Sequence, residues 1–266
     1  DHVSYLDDII SDYQVNNIYM PYILSDPTNV SLKEKVNALD SEKLALFKDE
    51  DTISTQAYAN FFINALSEPN CTIHLNVDDD DHTTNNKIVS EEYNYEITFI
   101  CPTLEFYTNT HLNDGHAKNA VSPVIIIEYN GRKLVYTGDS NAYWNSKGEL
   151  KTTEGNEWFM VQRIKQLYGD DSDFDVLKVA HHGAGEASSN KFLDAVKCEY
   201  GIISCGSGNT YNHPRNECLE RLKAHNYTIY RTDLNGNIKC IVNATGVISF
   251  EMEIDATQEA EYIPAD

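Results

Sequence analysis

The sequence predicts a layered fold of α/β or α+β type in which helices and strands are mixed in one domain. Three observations predict it. Short apolar runs alternate with amphipathic segments through the second half of the chain, with no internal repeat and no linker-like stretch. A strand pair there is joined by Asn130-Gly131, a strong hairpin signal. The 266 residues, 41% hydrophobic and 11% aromatic, suffice for a sizeable core.

Each element has its own local warrant. Leu6, Ile9, Ile10 and Tyr13 recur at helical spacing, and "NNIYMP" reads as a short strand closed by Pro21. A second helix is expected near 55–67, with Ser54 as cap and Phe61, Phe62 and Leu66 turned inward. "CTIHLNV" alternates as a strand and leaves His74 on its polar face, and "YEITFIC" (95–101) is another strand. "PVIIIEY" and "RKLVYT" form the hairpin, followed by an amphipathic helix over about 156–168. Strand 175–180, a helix near 188–197, strand 200–205, a helix near 215–225 and strand 227–231 come next. Strands 237–243 and 246–253 close the domain as a hairpin. The domain is thus expected to span 1–254, with 255–266 as a frayed acidic tail.

Charge narrows the function. There are 42 acidic against 20 basic residues, a net charge of −22. Such a field repels polyanions, so it opposes tight nucleic-acid binding and favours small or neutral substrates over long nucleic acid. The run Asp78 to Asp81 before His82 reads as a solvated loop, since a bare charge run specifies no metal geometry. No stretch approaches the roughly 20 apolar residues of a membrane span. The six cysteines include no C-x-x-C pair and fall in apolar elements, which suits a reduced, cytoplasmic chain. The even count keeps disulfides open, as do secretion or membership of a larger membrane protein. The opening "DHVSYLDDII" has neither Met nor a signal-peptide pattern and reads as something other than a natural start.

Three polar features fall where strands end, the place where layered folds collect ligands. "VYTGDS" sets Asp139 just past a turn-permitting glycine, "VLKVAHHG" sets His181 and His182 after another strand, and "YGIISCGSGNTYNHP" sets His213 before a helix expected from Pro214. Taken alone, a T-G-D is an ordinary turn and a loop histidine is solvated. Together, a carboxylate and imidazoles brought in from strand ends make a transition-metal site on a rigid frame. Adjacent histidines project to different sides, so one can coordinate while the other orients it or touches substrate.

In these motifs the second half resembles the metallo-β-lactamase superfamily, in particular its ComEC-like branch, whose best-known member carries such a domain beside a DNA-uptake channel. The runs "VYTGDS", "LKVAHHGAGEASS", "YGIISCG", "YNHP" and "ERLKAHNYTIYRTDLNGNI" match that branch in order and spacing over about 120 residues. "NAVSPVIII" matches its strand entry and places Asn119 and Ser122 near the site. The opening "DHVSYLDDIISDYQVNNIYMP" matches the end of the superfamily's H-x-H-x-D-H motif together with the helix and strand after it, with Asp1 and His2 as the final D-H. The resemblance implies a four-layer αββα sandwich lacking its first strands.

It also implies a ligand set. In a complete member the H-x-H pair binds one metal ion, Asp139 bridges two, and the D-H pair with His181 serves the second. Here Asp1, His2, Asp139 and His181 remain, enough for one ion or none. The superfamily's middle histidine is replaced by Val121, for which His116 is a substitute only if it leaves its solvated loop. Zinc suits these donors, and manganese or iron would bind similar sets. The activity implied is hydrolysis by a metal-activated water, with its pKa lowered from about 15.7 towards 7. Asp1 or Asp139 would orient or deprotonate that water, and His213 would donate to the substrate oxygen or leaving group. His182, Ser188 and Ser189 would contact substrate, with helix capping as the other reading of the serines. Tyr211, Tyr227, Tyr230 and Arg231 are read as core packing and a family turn. Phosphodiester cleavage, nuclease-like or phosphodiesterase-like, is the reading preferred. An inactive binding or regulatory module, or a hydrolase of esters, thioesters or lactams, are the rivals, since one scaffold hosts many chemistries.

Overall fold

The structure, a computed structural model, describes residues 6–20, 61, 64–75, 87–100, 119, 122–144, 150–151, 156–170 and 172–255. The chain divides into two compact units, Asp1–Val77 with Thr103–Val121 and Asp78–Pro102 with Ser122–Asp266.

In the first unit, helix α1 (Leu6–Asp12) leads into β1 (Asn17–Met20), which pairs in parallel with β2 (Thr72–Leu75). Ile10 and Ile18 bury against Phe61, Ala65 and Leu66 with Leu6 packed beside them, whereas Ile9 and Tyr13 of the same spacing are exposed, so only part of it sets an inward face. Asp1, His2 and His116 lie outside the described residues, as does most of the helix expected near 55–67.

The second unit is built on a seven-stranded mixed sheet. Strands β3 (Lys87–Ser90), β4 (Tyr95–Ile100), β5 (Val124–Tyr129) and β6 (Arg132–Tyr136) form an antiparallel meander. Outside the sheet, the two-residue strands β7 (Tyr143–Trp144) and β8 (Leu150–Lys151) pair with each other. Helix α2 (Asn156–Tyr168) follows, and β9 (Val176–Lys178) then pairs in parallel with β6. After α3 (Asn190–Val196), β10 (Tyr200–Ile203) pairs in parallel with β9. After α4 (Asn216–Ala224), β11 (Thr228–Arg231) pairs in parallel with β10. The sheet order is β11-β10-β9-β6-β5-β4-β3. A one-turn helix α5 (Thr232–Asn235) precedes the hairpin β12 (Ile238–Val242) and β13 (Ile248–Met252).

The alternation of these strands decides the layers. Ile126, Val135, Leu177, Val179 and Ile203 are buried against Met160 and Ile164 of α2, Phe192, Leu193 and Val196 of α3, and Leu219 and Leu222 of α4. On the other strand face, Tyr200 and Tyr230 pack with Phe250 of the closing hairpin at 4.9 and 4.5 Å between ring centroids. The expected mixed layered architecture is therefore present as a large mixed sheet with few helices. Strands β3, β7 and β8 and helix α5 were not anticipated, being short and lacking a clear apolar period.

Among the described cysteines, Cys198, Cys205, Cys218 and Cys240 are free thiols, with Cys198 and Cys218 buried. Burial pushes the Cys218 thiol up to about 12. Among the described residues no helix is long and apolar enough to cross a membrane.

Candidate functional site

Because β6, β9 and β10 are parallel neighbours, their C-terminal ends lie together, and each is followed by one of the polar motifs. Hydrogen bonds fasten these ends to one another. Buried Thr137 donates its hydroxyl to the Lys178 carbonyl at 2.7 Å, which joins the end of β6 to the end of β9. The chain then turns at Gly138 (φ +52°), where a Cβ would sit 3.0 Å from that of Ser122. The Asp139 N–H donates to the Ser122 hydroxyl at 3.1 Å, so Ser122 holds the turn that presents the carboxylate.

β9 stops at Lys178, earlier than its apolar run, because the chain leaves the β9–β10 ladder after Val179. Val179 N–H bonds the Ile202 carbonyl at 2.8 Å and His181 N–H bonds the Gly138 carbonyl at 3.0 Å. His181 and His182 then both take left-handed backbone, φ +45° and +54°, a conformation that non-glycine residues adopt rarely and that clusters at functional sites. The two imidazoles diverge. His181 Nδ1 lies 3.6 Å from a Glu186 carboxylate oxygen. His182 donates from Nδ1–H to the Ser204 carbonyl at 2.7 Å, which leaves the lone pair of the neutral ring on Nε2, 3.6 Å from Asp139 Oδ1.

The third segment docks on the second. Asn209 accepts from His213 N–H at 2.9 Å and donates to the carbonyls of His213 and Gly206 at 2.6 and 2.9 Å. Arg215 N–H bonds the Gly183 carbonyl at 2.8 Å, and Pro214 lies so close to Gly183 (φ +82°) that a Cβ there would meet it at 2.6 Å. The His213 ring consequently stands 5.5 Å from that of His181 and 6.5 Å from that of His182, nearly parallel to the latter. Its Nδ1 is buried with no hydrogen-bond partner among the described residues. Burial, reinforced by His181, lowers the His213 pKa, while Glu186 acts the other way. Burial likewise lowers the Lys178 pKa against the pull of Asp139.

Behind the histidines is a brace that the sequence reading missed. Glu157, buried in the first turn of α2, accepts the backbone N–H groups of Ser188 and Ser189 at 2.5 and 2.9 Å. Arg221 of α4 donates to the carbonyls of Gly185, Ala187 and Ser188 at 2.7, 2.7 and 3.0 Å. The segment from Gly185 to Ser189, which carries Glu186, is therefore gripped by an acid on its donors and a base on its acceptors.

Asp139, His181, His182 and His213 thus come together as the sequence suggests, and Glu186 joins them, signalled only by its place in "HHGAGE". Asp139 Oδ1 lies 3.6 Å from Nε2 of His182, the residue assigned to substrate. Ser188 and Ser189 are buried, and Ser189 caps α3 by accepting from Phe192 N–H at 3.4 Å, which is the capping reading. Asn119 belongs to the first unit, and Ser122 acts on the Asp139 turn. Tyr227, Tyr230 and Arg231 pack as expected, Arg231 bidentate on Asp233 at 2.6 and 3.0 Å. Tyr211 corrects the reading: it is 71% exposed, because Gly206, Ser207 and Gly208 carry its loop away from the core.

No family model matches the chain. It is 33% identical over 129 residues to Competence protein ComA of Neisseria gonorrhoeae, covering 48% of this chain and 16% of that protein. It is 32% identical over 126 residues to ComE operon protein 3 of Bacillus subtilis, 47% of this chain and 14% of that one. Recombination protein 2 of Haemophilus influenzae is 26% identical over 123 residues, 46% and 13% of the two chains. Over about half its length, the chain is related to bacterial competence proteins. It spans about a sixth or less of the length of these relatives.

Proposed function

We propose that the chain is a metal-dependent hydrolase of phosphodiester bonds on a metallo-β-lactamase-type sandwich. The observation that carries the reading is the approach of His182 Nε2 to Asp139 Oδ1 at 3.6 Å, beside two more imidazoles. Two electron-pair donors facing each other across that gap call for a positive species between them, either a proton on the ring or a metal ion. The donor set fits a divalent ion in kind, zinc first and manganese or iron after it. Among the described residues no three such groups already stand as a metal cluster. The further donors that the sequence resemblance implies are Asp1 and His2, which lie outside the described residues. The motif order over β6, β9 and β10 supports the sandwich, and relatives named for competence and recombination support a phosphodiester of DNA as substrate.

A bound ion would supply Lewis acidity and an acidified water. The chain's own residues do the rest. Asp139, its turn fixed by Ser122, would orient a water and accept its proton. His182, its tautomer set by Ser204, turns its Nε2 lone pair toward Asp139, so the two would share the ion between them. His213 is kept neutral by burial, so it presents an N–H to an oxygen that gains negative charge without first repelling a cation.

The test is metal content of the purified 266-residue chain, together with hydrolysis of bis(p-nitrophenyl) phosphate, p-nitrophenyl acetate and a chromogenic lactam. Bound zinc with phosphodiester turnover that Asp139→Asn lowers by about 100-fold or more supports the reading. A folded, metal-free chain would establish the binding-module reading, and turnover confined to the ester or lactam would establish the other rival.

A further inference from the structure

We infer that Tyr211 is a stacking platform for a nucleobase, and that the site therefore takes single-stranded nucleic acid. The inference rests on the phosphodiesterase reading and names the group that flanks the phosphate. The Tyr211 ring lies 5.9 Å from that of His213 at an interplanar angle of 15°, and His213 lies 6.5 Å from His182 at 20°. Three near-parallel rings thus run outward from the Asp139 carboxylate. The innermost two belong to the candidate chemistry, and the outermost keeps 71% of its surface in solvent.

That exposure is not that of a loosely held side chain. Asn212 takes left-handed backbone at φ +57°, its N–H bonds the Asn209 carbonyl at 3.1 Å, and Asn209 clamps His213 on both sides. The loop thus sets a largely exposed ring nearly parallel to that of His213. An open π-face beside a phosphodiester centre fits a base, since every base offers a complementary face whatever its sequence. Only a base freed from pairing can lie there, which selects single strands over duplex. The net charge of −22 makes the same selection, because affinity that cannot come from neutralising many phosphates has to come from uncharged contacts. The local exception is exposed Arg215, two residues past His213 and close enough for its charge to act on that ring, where it can meet one phosphate.

The test uses the 266-residue chain loaded with zinc and a fluorescein-labelled oligothymidylate with cleavage-resistant phosphorothioate linkages, beside an abasic strand of equal length. Anisotropy is expected to show Tyr211→Ala weakening oligothymidylate binding by about 5- to 150-fold. Tyr211→Phe should stay near the parent, and the abasic strand should not respond to either change. Equal binding of both strands by the parent, tighter binding of duplex, or no effect of Tyr211→Ala would each overturn the platform. Cleavage of the ordinary phosphodiester strand is read in parallel. Binding that depends on Tyr211 without cleavage would overturn the hydrolase reading and leave the platform standing.

Discussion

Glu157 carries a cost and a role at the same position. Its burial raises the pKa above the ordinary 4.5, against the opposing pull of the Ser188 and Ser189 amides and of Arg221. The folded chain then binds more protons at this carboxyl than the unfolded chain does above pH 4.5. Stability contributed by the group is complete below that pH and declines as pH rises through the folded value. The parent is therefore expected to lose stability relative to Glu157→Gln as pH rises, in urea titrations across about pH 4 to 8. If the two curves run parallel, the carboxyl keeps its ordinary pKa. Gly183 offers a harder test. A methyl there meets Pro214 and forces a positive φ, so Gly183→Ala is expected to cost about 1–3 kcal/mol in the same titrations. It should also move His213 relative to His181, read by histidine NMR shifts.

The elements explain why some of this was legible in advance and some was not. Helix α2 was readable to its last residue because its apolar period is undisturbed, and Asn130-Gly131 fixed the β5–β6 turn by backbone preference alone. The end of β9 was overrun: Val179 and Ala180 are apolar, but the chain is turned out of the strand where the His181 N–H bonds the Gly138 carbonyl, which is remote in the sequence. The same remoteness hid Glu157, which reads locally as an acid suited to a helix N-terminus, and Tyr211, whose exposure depends on how its loop leaves the sheet. The histidine motifs could be placed at strand ends in advance because the apolar runs before them are clear. Their pairing with Asp139 and Glu186 was not, since it depends on the left-handed turn. Ser189 could be read as substrate contact or cap, and the structure makes it the cap of α3. Ser189→Ala is expected to lower stability by about 1 kcal/mol and to leave phosphodiester KM unchanged. A rise in KM with stability intact would return the hydroxyl to the substrate.

For the whole molecule the net charge sets the response to salt. A protein that neutralises 6–10 phosphates loses about 10³–10⁵ in affinity between 50 and 200 mM salt. This chain, at −22, is expected to hold or gain oligonucleotide affinity over the same range, because salt screens repulsion more than attraction. A steep loss would reveal a basic groove that the net charge conceals. Metal enters on the same scale. An ion that binds only the folded chain stabilises it by about 2.7 kcal/mol at 100 times its Kd, so zinc should raise Tm in the parent and much less in Asp139→Asn.

The order of the strands also sets a timetable. β9 lies between β6 and β10, and each of the three contributes one part of the cluster. During synthesis the T-G-D turn emerges first, with neither of its partners made. The histidine turn follows, and only when the Asn209–Pro214 loop has left the ribosome can the rings be brought side by side. A half-made chain therefore carries the motifs without the cluster, which forms only when the last of its three segments can pack against the other two.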